Sequence, residues 1–170
     1  MSKAEWEAKI AAQRARFAPP GLVTRAEAIK FSGLEFLRKW LAGEFPPPPM
    51  GVTADFWPME FDHGRAVFMG IPSAAYYNPL GTVHGGWITA VLDSSLGCSV
   101  NSTLERGENY TTVELKVNFV RAVLDTTGPV RAEAHVIHRG RQIVTAEAKL
   151  HDSNEKLLAH ASTTCLILKP

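Results

Sequence analysis

Asn78-Pro79-Leu80-Gly81-Thr82-Val83-His84-Gly85-Gly86-Trp87-Ile88-Thr89-Ala90-Val91-Leu92-Asp93 sets an amide, an imidazole, two glycines and a carboxylate around one helix start. Asn-Pro and Leu-Gly are turn signals, and His84-Gly85-Gly86 interrupts any strand. Trp87 to Val100 is apolar enough to be a helix, so the pattern predicts Gly85 and Gly86 at its N-terminus. Backbone N–H groups there lack intrahelical acceptors and sit at the positive end of the helix dipole. Without Cβ atoms in the way, a substrate oxygen can approach them. That arrangement suits an oxyanion.

Asp93 lies at helical spacing from Gly86, Thr89, Ala90 and Gly97, a face of small side chains, with Ile88, Val91, Leu92 and Ser95 on the neighbouring one. A carboxylate in such surroundings is partly desolvated, which raises its pKa and suits it to act as a base or nucleophile. The plainer alternative is an Asp that only accepts a structural hydrogen bond. Gly85 and Asp93 are eight residues apart, roughly 12 Å along a helix rising about 1.5 Å per residue. One carbonyl does not reach both. If both act on one carbonyl, the acid comes from a second copy of the chain, with two antiparallel helices across a two-fold axis and two composite sites per dimer.

At 170 residues, 45% hydrophobic and a formal net charge of +1, the chain suits one globular domain with a small appendage. The near-neutral charge argues against nucleic-acid or membrane-surface partners. With no bilayer-length apolar run and no signal-peptide pattern, a cytoplasmic protein without membrane contact is expected. Cys98 and Cys165 are too few for a disulfide framework or a zinc site, and Cys98 reads as a packed thiol. No metal and no cofactor are expected.

The first 50 residues differ from the rest. Ala4 to Phe17 reads as a helix, and Thr24 with Glu27 and Ser32 with Glu35 match capping boxes of two short ones. Leu34, Leu37, Trp40 and Leu41 give the second an apolar face, ending at Gly43. Pro46 to Pro49 reads as a stiff tether. Two segments result: residues 1–50, a helical extension with a proline-rich linker, and residues 51–170, the main domain.

In the main domain Val52 to Phe61 and Arg65 to Gly70 read as a hairpin about Asp62-His63-Gly64. After the helix, Thr111 to Phe119 alternates strictly, a long half-buried strand. Val130–His138, Gln142–His151 and Lys156–Leu168 then follow across tight turns, as if in a four-strand meander. The expected class is α+β, in the order β-β-α-β-β-β-β, with the helix wrapped by an antiparallel sheet. The sheet's two free edges invite pairing between chains.

This pattern, with the segment Asn78 to Asp93, resembles the PaaI-like acyl-CoA thioesterases of the hotdog fold, from about Val52 onward. The resemblance implies that the Gly85 N–H polarises a thioester carbonyl and that Asn78 helps to hold that oxygen or the attacking water. It implies that Asp93 of the facing subunit acts as general base or nucleophile, and that Thr112, or Thr111 one register away, binds water. His84 either touches the thioester or braces the turn. Gly86 and Trp87 are candidate substrate contacts, with Tyr76 and Tyr77 beside them, although large aromatics are more often core. Coenzyme A needs cations for its phosphates, and Arg139-Gly140-Arg141 at a hairpin tip is the local candidate, against a reading as solvated charge. The resemblance further implies a homodimer, assembling into a homotetramer, acting on acyl-CoA. Two rivals on the same fold are an enoyl-thioester hydratase and a non-catalytic acyl-CoA-sensing module.

Overall fold

The structure, a computed structural model, describes residues 2–169. Four helices precede the sheet: α1 (Lys3–Arg14), α2 (Arg25–Ala28), α3 (Gly33–Leu41) and α4 (Pro49–Thr53). Ser2 with Glu5 and Ser32 with Glu35 close full capping boxes on α1 and α3. Strands β1 (Phe56–Asp62) and β2 (Arg65–Gly70) lead to the long helix α5 (Gly85–Asn101). Four more strands follow: β3 (Asn109–Phe119), β4 (Val130–Arg139), β5 (Ile143–Asp152) and β6 (Leu157–Leu168). All six form one antiparallel sheet in the order β1-β2-β4-β5-β6-β3.

The sheet curls around α5, whose Val91, Leu92, Leu96 and Val100 have no exposed surface. Burying each of them contributes roughly 1.5–3 kcal/mol. Strand β2 is buried on both faces: Phe68 joins Phe56 in the core around α5, while Met69 and Trp57 pack against Trp6 and Ile10 of α1. Helix α1 therefore clasps the outer face of the β1-β2 hairpin. Helix α3 instead sends Leu37 and Trp40 into the core around α5. This is the hotdog arrangement, with β-β-α-β-β-β-β order and a helical extension.

Three local expectations are corrected. Val52 and Thr53 are the end of α4 rather than the start of a strand, because Pro49 sits at the first helical position and Asp55 turns the chain at φ +51°. That corner is pinned by Arg14, which reaches both Asp55 carboxylate oxygens at 2.6 and 2.8 Å, and by the Trp57 indole at 2.7 Å. Second, only β4, β5 and β6 meander. The link from β3 to β4 is too long for a hairpin and holds a 3-10 turn at Asp125–Thr127, so β3 crosses to the edge beside β6. Third, the alternation of β3 is broken by a bulge: Thr112 pairs with Cys165, but Glu114 pairs with the adjacent Thr164.

No helix among the described residues is long and apolar enough to cross a membrane.

Candidate active site

The turn before α5 is tied by its own side chains. Asn78 Oδ1 accepts the Leu80 and Thr82 N–H groups at 2.9 and 3.3 Å, and its Nδ2 donates to Thr82 Oγ1 at 2.8 Å. The His84 N–H donates to the Tyr76 carbonyl at 2.7 Å, and the Val83 N–H to that of Val123 at 2.9 Å. His84 is then the N-cap of α5, its Nδ1 accepting the Gly86 N–H at 2.8 Å. The Trp87 N–H is taken by the His84 carbonyl at 2.9 Å. Gly85 is left over: among the described residues its N–H has no hydrogen-bond acceptor.

Gly85 borders a cavity of about 400 Å³, together with Asn78, Ile88, Phe119 and Arg121. A Cβ on Gly85 would lie 2.9 Å from the tip of the Phe119 ring, so a side chain at this position requires that ring to shift.

Asp93, two turns along the same helix, opens into a different cavity, of about 280 Å³. Its carboxylate makes no hydrogen bond or ion pair among the described residues, so it is not an acid held for a structural contact. Burial raises its pKa above the ordinary Asp value. One turn on, Gly97 makes room for the Tyr110 hydroxyl, which a Cβ at that position would overlap. Thr112 lines the same cavity, and the β3 bulge is the reason. Cys165 and Thr163 are both buried and share one face of β6. Their partners Thr112 and Leu115 therefore both point inward, although they are three residues apart. Thr112 Oγ1 lies 3.8 Å from Cys165 Sγ, and Thr111 points the other way.

The remaining polar groups are donors rather than nucleophiles. Burial, with the Asp93 charge adding, pushes the Cys98 thiol up to about 12. Burial likewise lifts the Tyr110 hydroxyl well above its ordinary value, helped by Cys98, Cys165 and Asp93. Both stay protonated at neutral pH. Among the described residues, no group of three or more His, Cys, Asp or Glu converges as a metal site would require.

The structure thus splits the expected residues into two sets, Asn78 with Gly85 in one cavity and Asp93 with Thr112 in the other. His84 braces the turn between them. Three of the expected substrate contacts have polar groups that are already engaged within the chain. The Gly86 N–H is held by His84. Trp87 is buried in the core, stacked on Tyr76 at 5.7 Å, and donates its indole N–H to the Ala54 carbonyl at 2.7 Å. Arg139 pairs with Glu108 at 2.7 Å and bonds the Gly140 carbonyl. Arg141 is exposed and makes no ion pair among the described residues. Tyr77 donates to Asp125 at 2.9 Å.

Tyr110, Phe119 and Arg121 also border these cavities and are not among the residues expected from the sequence. Period-two counting back from Thr112 reaches Tyr110, so that signal was present. Phe119 and Arg121 approach Gly85 only through the crossover of β3.

The family model of the thioesterase superfamily matches residues 80–159, which include Gly85, Asp93 and Thr112 but not Asn78. A protein of Saccharolobus solfataricus, provisionally named an esterase, is 30% identical over 112 residues, 65% of this chain and 77% of its own length. A second such protein from that organism is 30% identical over 89 residues, 52% of this chain but only 57% of its own length. Among solved structures, a provisionally named thioesterase of Ralstonia eutropha, described as phenylacetic acid degradation-related, is 30% identical with a TM-score of 0.69. The match covers 76% of this chain and 97% of that one. With its sheet-wrapped helix, its glycine helix start and these relatives, the chain belongs to the thioesterase superfamily, among the PaaI-like members of the hotdog fold.

Proposed function

We propose that this chain hydrolyses a coenzyme A thioester to the free acid and coenzyme A, at a site shared between two copies of itself. The observation that carries the reading is a pair of unengaged groups on one rigid helix: the Gly85 N–H and the Asp93 carboxylate, each in its own cavity. In this mechanism the carbonyl oxygen lies on the Gly85 N–H of one protomer, at the positive end of α5, where negative charge developing on oxygen is stabilised. Asp93 of the facing protomer either takes a proton from water, which attacks the carbonyl carbon, or attacks it directly, giving an anhydride that water then cleaves. Both routes consume one water and release the thiol as coenzyme A. Thr112 and the Tyr110 hydroxyl hold the water beside Asp93, and Asn78 keeps the Gly85 turn in shape.

On this reading residues 51–170 form the thioesterase domain and residues 1–50 its helical extension. The unit is a cytoplasmic homodimer that pairs into a homotetramer. Arg141 and Arg121 are the basic side chains offered to the coenzyme A phosphates.

Thiol release from a panel of acyl-CoA substrates tests the reading. The wild-type chain releases coenzyme A, and well-folded Asp93→Asn loses about 10²–10⁴-fold in kcat. Undiminished release by that variant would overturn the mechanism, and tight acyl-CoA binding without any release would make the protein a sensing module instead.

A further inference from the structure

The Asp93 cavity is not walled by the thioesterase domain alone. Trp40, Pro47, Pro48 and Met50 line it from the N-terminal segment, with Gly51 at the boundary, all outside residues 80–159 that match the family model. Its polar groups, Asp93, Tyr110 and Thr112, come from α5 and β3, whereas the extension contributes apolar side chains and two prolines. Phe56 and Phe68 continue this apolar wall from β1 and β2. The wall is fixed in place. Trp40 and Gly51 are buried, and a Cβ on Gly51 would lie 3.1 Å from the Phe56 carbonyl oxygen, so α4 sits directly against β1. The Arg14–Asp55 and Trp57–Asp55 contacts hold the corner that joins them. The Gly85 cavity is the larger and carries Asn78 and Arg121 instead.

We infer that the acyl group enters the chamber of the protomer that supplies the acid, and that the N-terminal extension, through Trp40, Pro47 and Met50, limits its length. This rests on the thioesterase reading above. The carbonyl stands between one protomer's Gly85 and the other's Asp93, and its two substituents diverge from the carbonyl carbon. The apolar substituent goes where apolar surface awaits it, beyond Asp93. The polar thiol carrier runs along the side that holds Arg121. At about 280 Å³, the chamber is just below the ~300–1,000 Å³ range of drug-sized pockets. It therefore takes a compact apolar acyl group and excludes a long alkyl chain. The extension is then a specificity element as well as a clasp on the fold.

The test compares kcat/KM for acetyl-, phenylacetyl-, octanoyl- and palmitoyl-CoA in the full-length chain and in two variants of the exposed rim residue Met50. Wild type is expected to favour phenylacetyl- or octanoyl-CoA over palmitoyl-CoA by at least about tenfold, a difference of about 1.4 kcal/mol. Met50→Trp, which fills the chamber, lowers the phenylacetyl-to-acetyl ratio by about tenfold. Met50→Ala, which enlarges it, raises the octanoyl-to-phenylacetyl ratio. Thermal melts within a few degrees of wild type show that each variant is folded. If palmitoyl-CoA is the best substrate, or both variants leave every ratio unchanged, the extension does not set length and this inference fails while the thioesterase reading stands. If no member of the panel is cleaved, both fail.

Discussion

His84 Nδ1 accepts the Gly86 N–H at 2.8 Å, and this one contact decides which glycine of the pair is free. The ring satisfies the second orphan donor of α5 and leaves the first, that of Gly85, without an acceptor among the described residues. His84→Ala therefore removes an N-cap, which costs about 0.5–2 kcal/mol, and exposes two competing donors where there was one. His84→Asn keeps an N-cap acceptor. Urea unfolding is expected to show loss in the first variant and recovery in the second, with kcat/KM recovering alongside. Recovery of stability without recovery of rate would instead put His84 in contact with the substrate.

A shared site predicts complementation. Proline is tolerated at the first helical position and removes only the N–H, so Gly85→Pro should lose about 10²–10³ in kcat. Phe119, 55% exposed, has room to move aside for the new ring. Mixing Gly85→Pro with Asp93→Asn under conditions that exchange subunits should restore about a quarter of wild-type activity. Half the dimers are then mixed, and each mixed dimer holds one intact site. Activity that stays at the level of the separate variants would place both groups of a site in one chain.

The raised Asp93 pKa has two consequences of opposite sign. The reaction needs the carboxylate, so kcat/KM should climb through an inflection above the ordinary Asp value of about 3.9 and then level off. Stability moves the other way: the folded chain holds this proton to higher pH than the unfolded chain does, so stability falls as pH rises through that window. Asp93→Asn, which carries no charge, should melt at or above the wild-type temperature at pH 7 by calorimetry while being inactive. A clear drop in its melting temperature would show that the carboxylate is a stabilising group.

Glu133 is the contrasting case. Its partial burial alone would raise it, but hydrogen bonds from Arg131 at 2.6 Å and Arg65 at 2.5 Å hold it at about 2. Its stabilising contribution is fully present above the unfolded value of about 4.3 and is lost as pH falls towards 2. Between those limits wild type should lose stability more steeply than Glu133→Gln, as read from melting temperatures across the acid range. Parallel slopes would mean that Arg65 and Arg131 are held by other partners.

Thr112 reaches the acid cavity only because β3 gains a residue at its bulge. Thr112→Ser keeps the hydroxyl and should retain most of the activity, whereas Thr112→Val, of the same shape, should lose about tenfold in kcat, the worth of one hydrogen bond. Equal rates for the two variants would remove Thr112 from the reaction.

The helix start was legible because three residues there have few other uses: His84, Gly85 and Gly86 in a row stop a strand and suit a cap. The bulge was not, since Val113 and Glu114 carry no local mark of an inserted residue, and only pairing with β6 reveals it. Val52 and Thr53 mislead for a related reason. Their branched side chains favour strands, but Pro49 in front and the pinned corner at Asp55 outweigh a preference worth a fraction of a kcal/mol. In the sequence Trp40 reads as apolar helix face. That it also borders the Asp93 cavity depends on contacts across some fifty residues of sequence, beyond the reach of any periodicity.

Gly85 and Asp93 ride on one helix and so never meet within a chain, however that chain flexes. A newly made, solitary copy is in this mechanism inert toward the thioesters around it. At concentrations low enough to separate the copies, specific activity should fall with dilution in proportion to the pairs that survive, so that association itself is the switch that arms the chemistry.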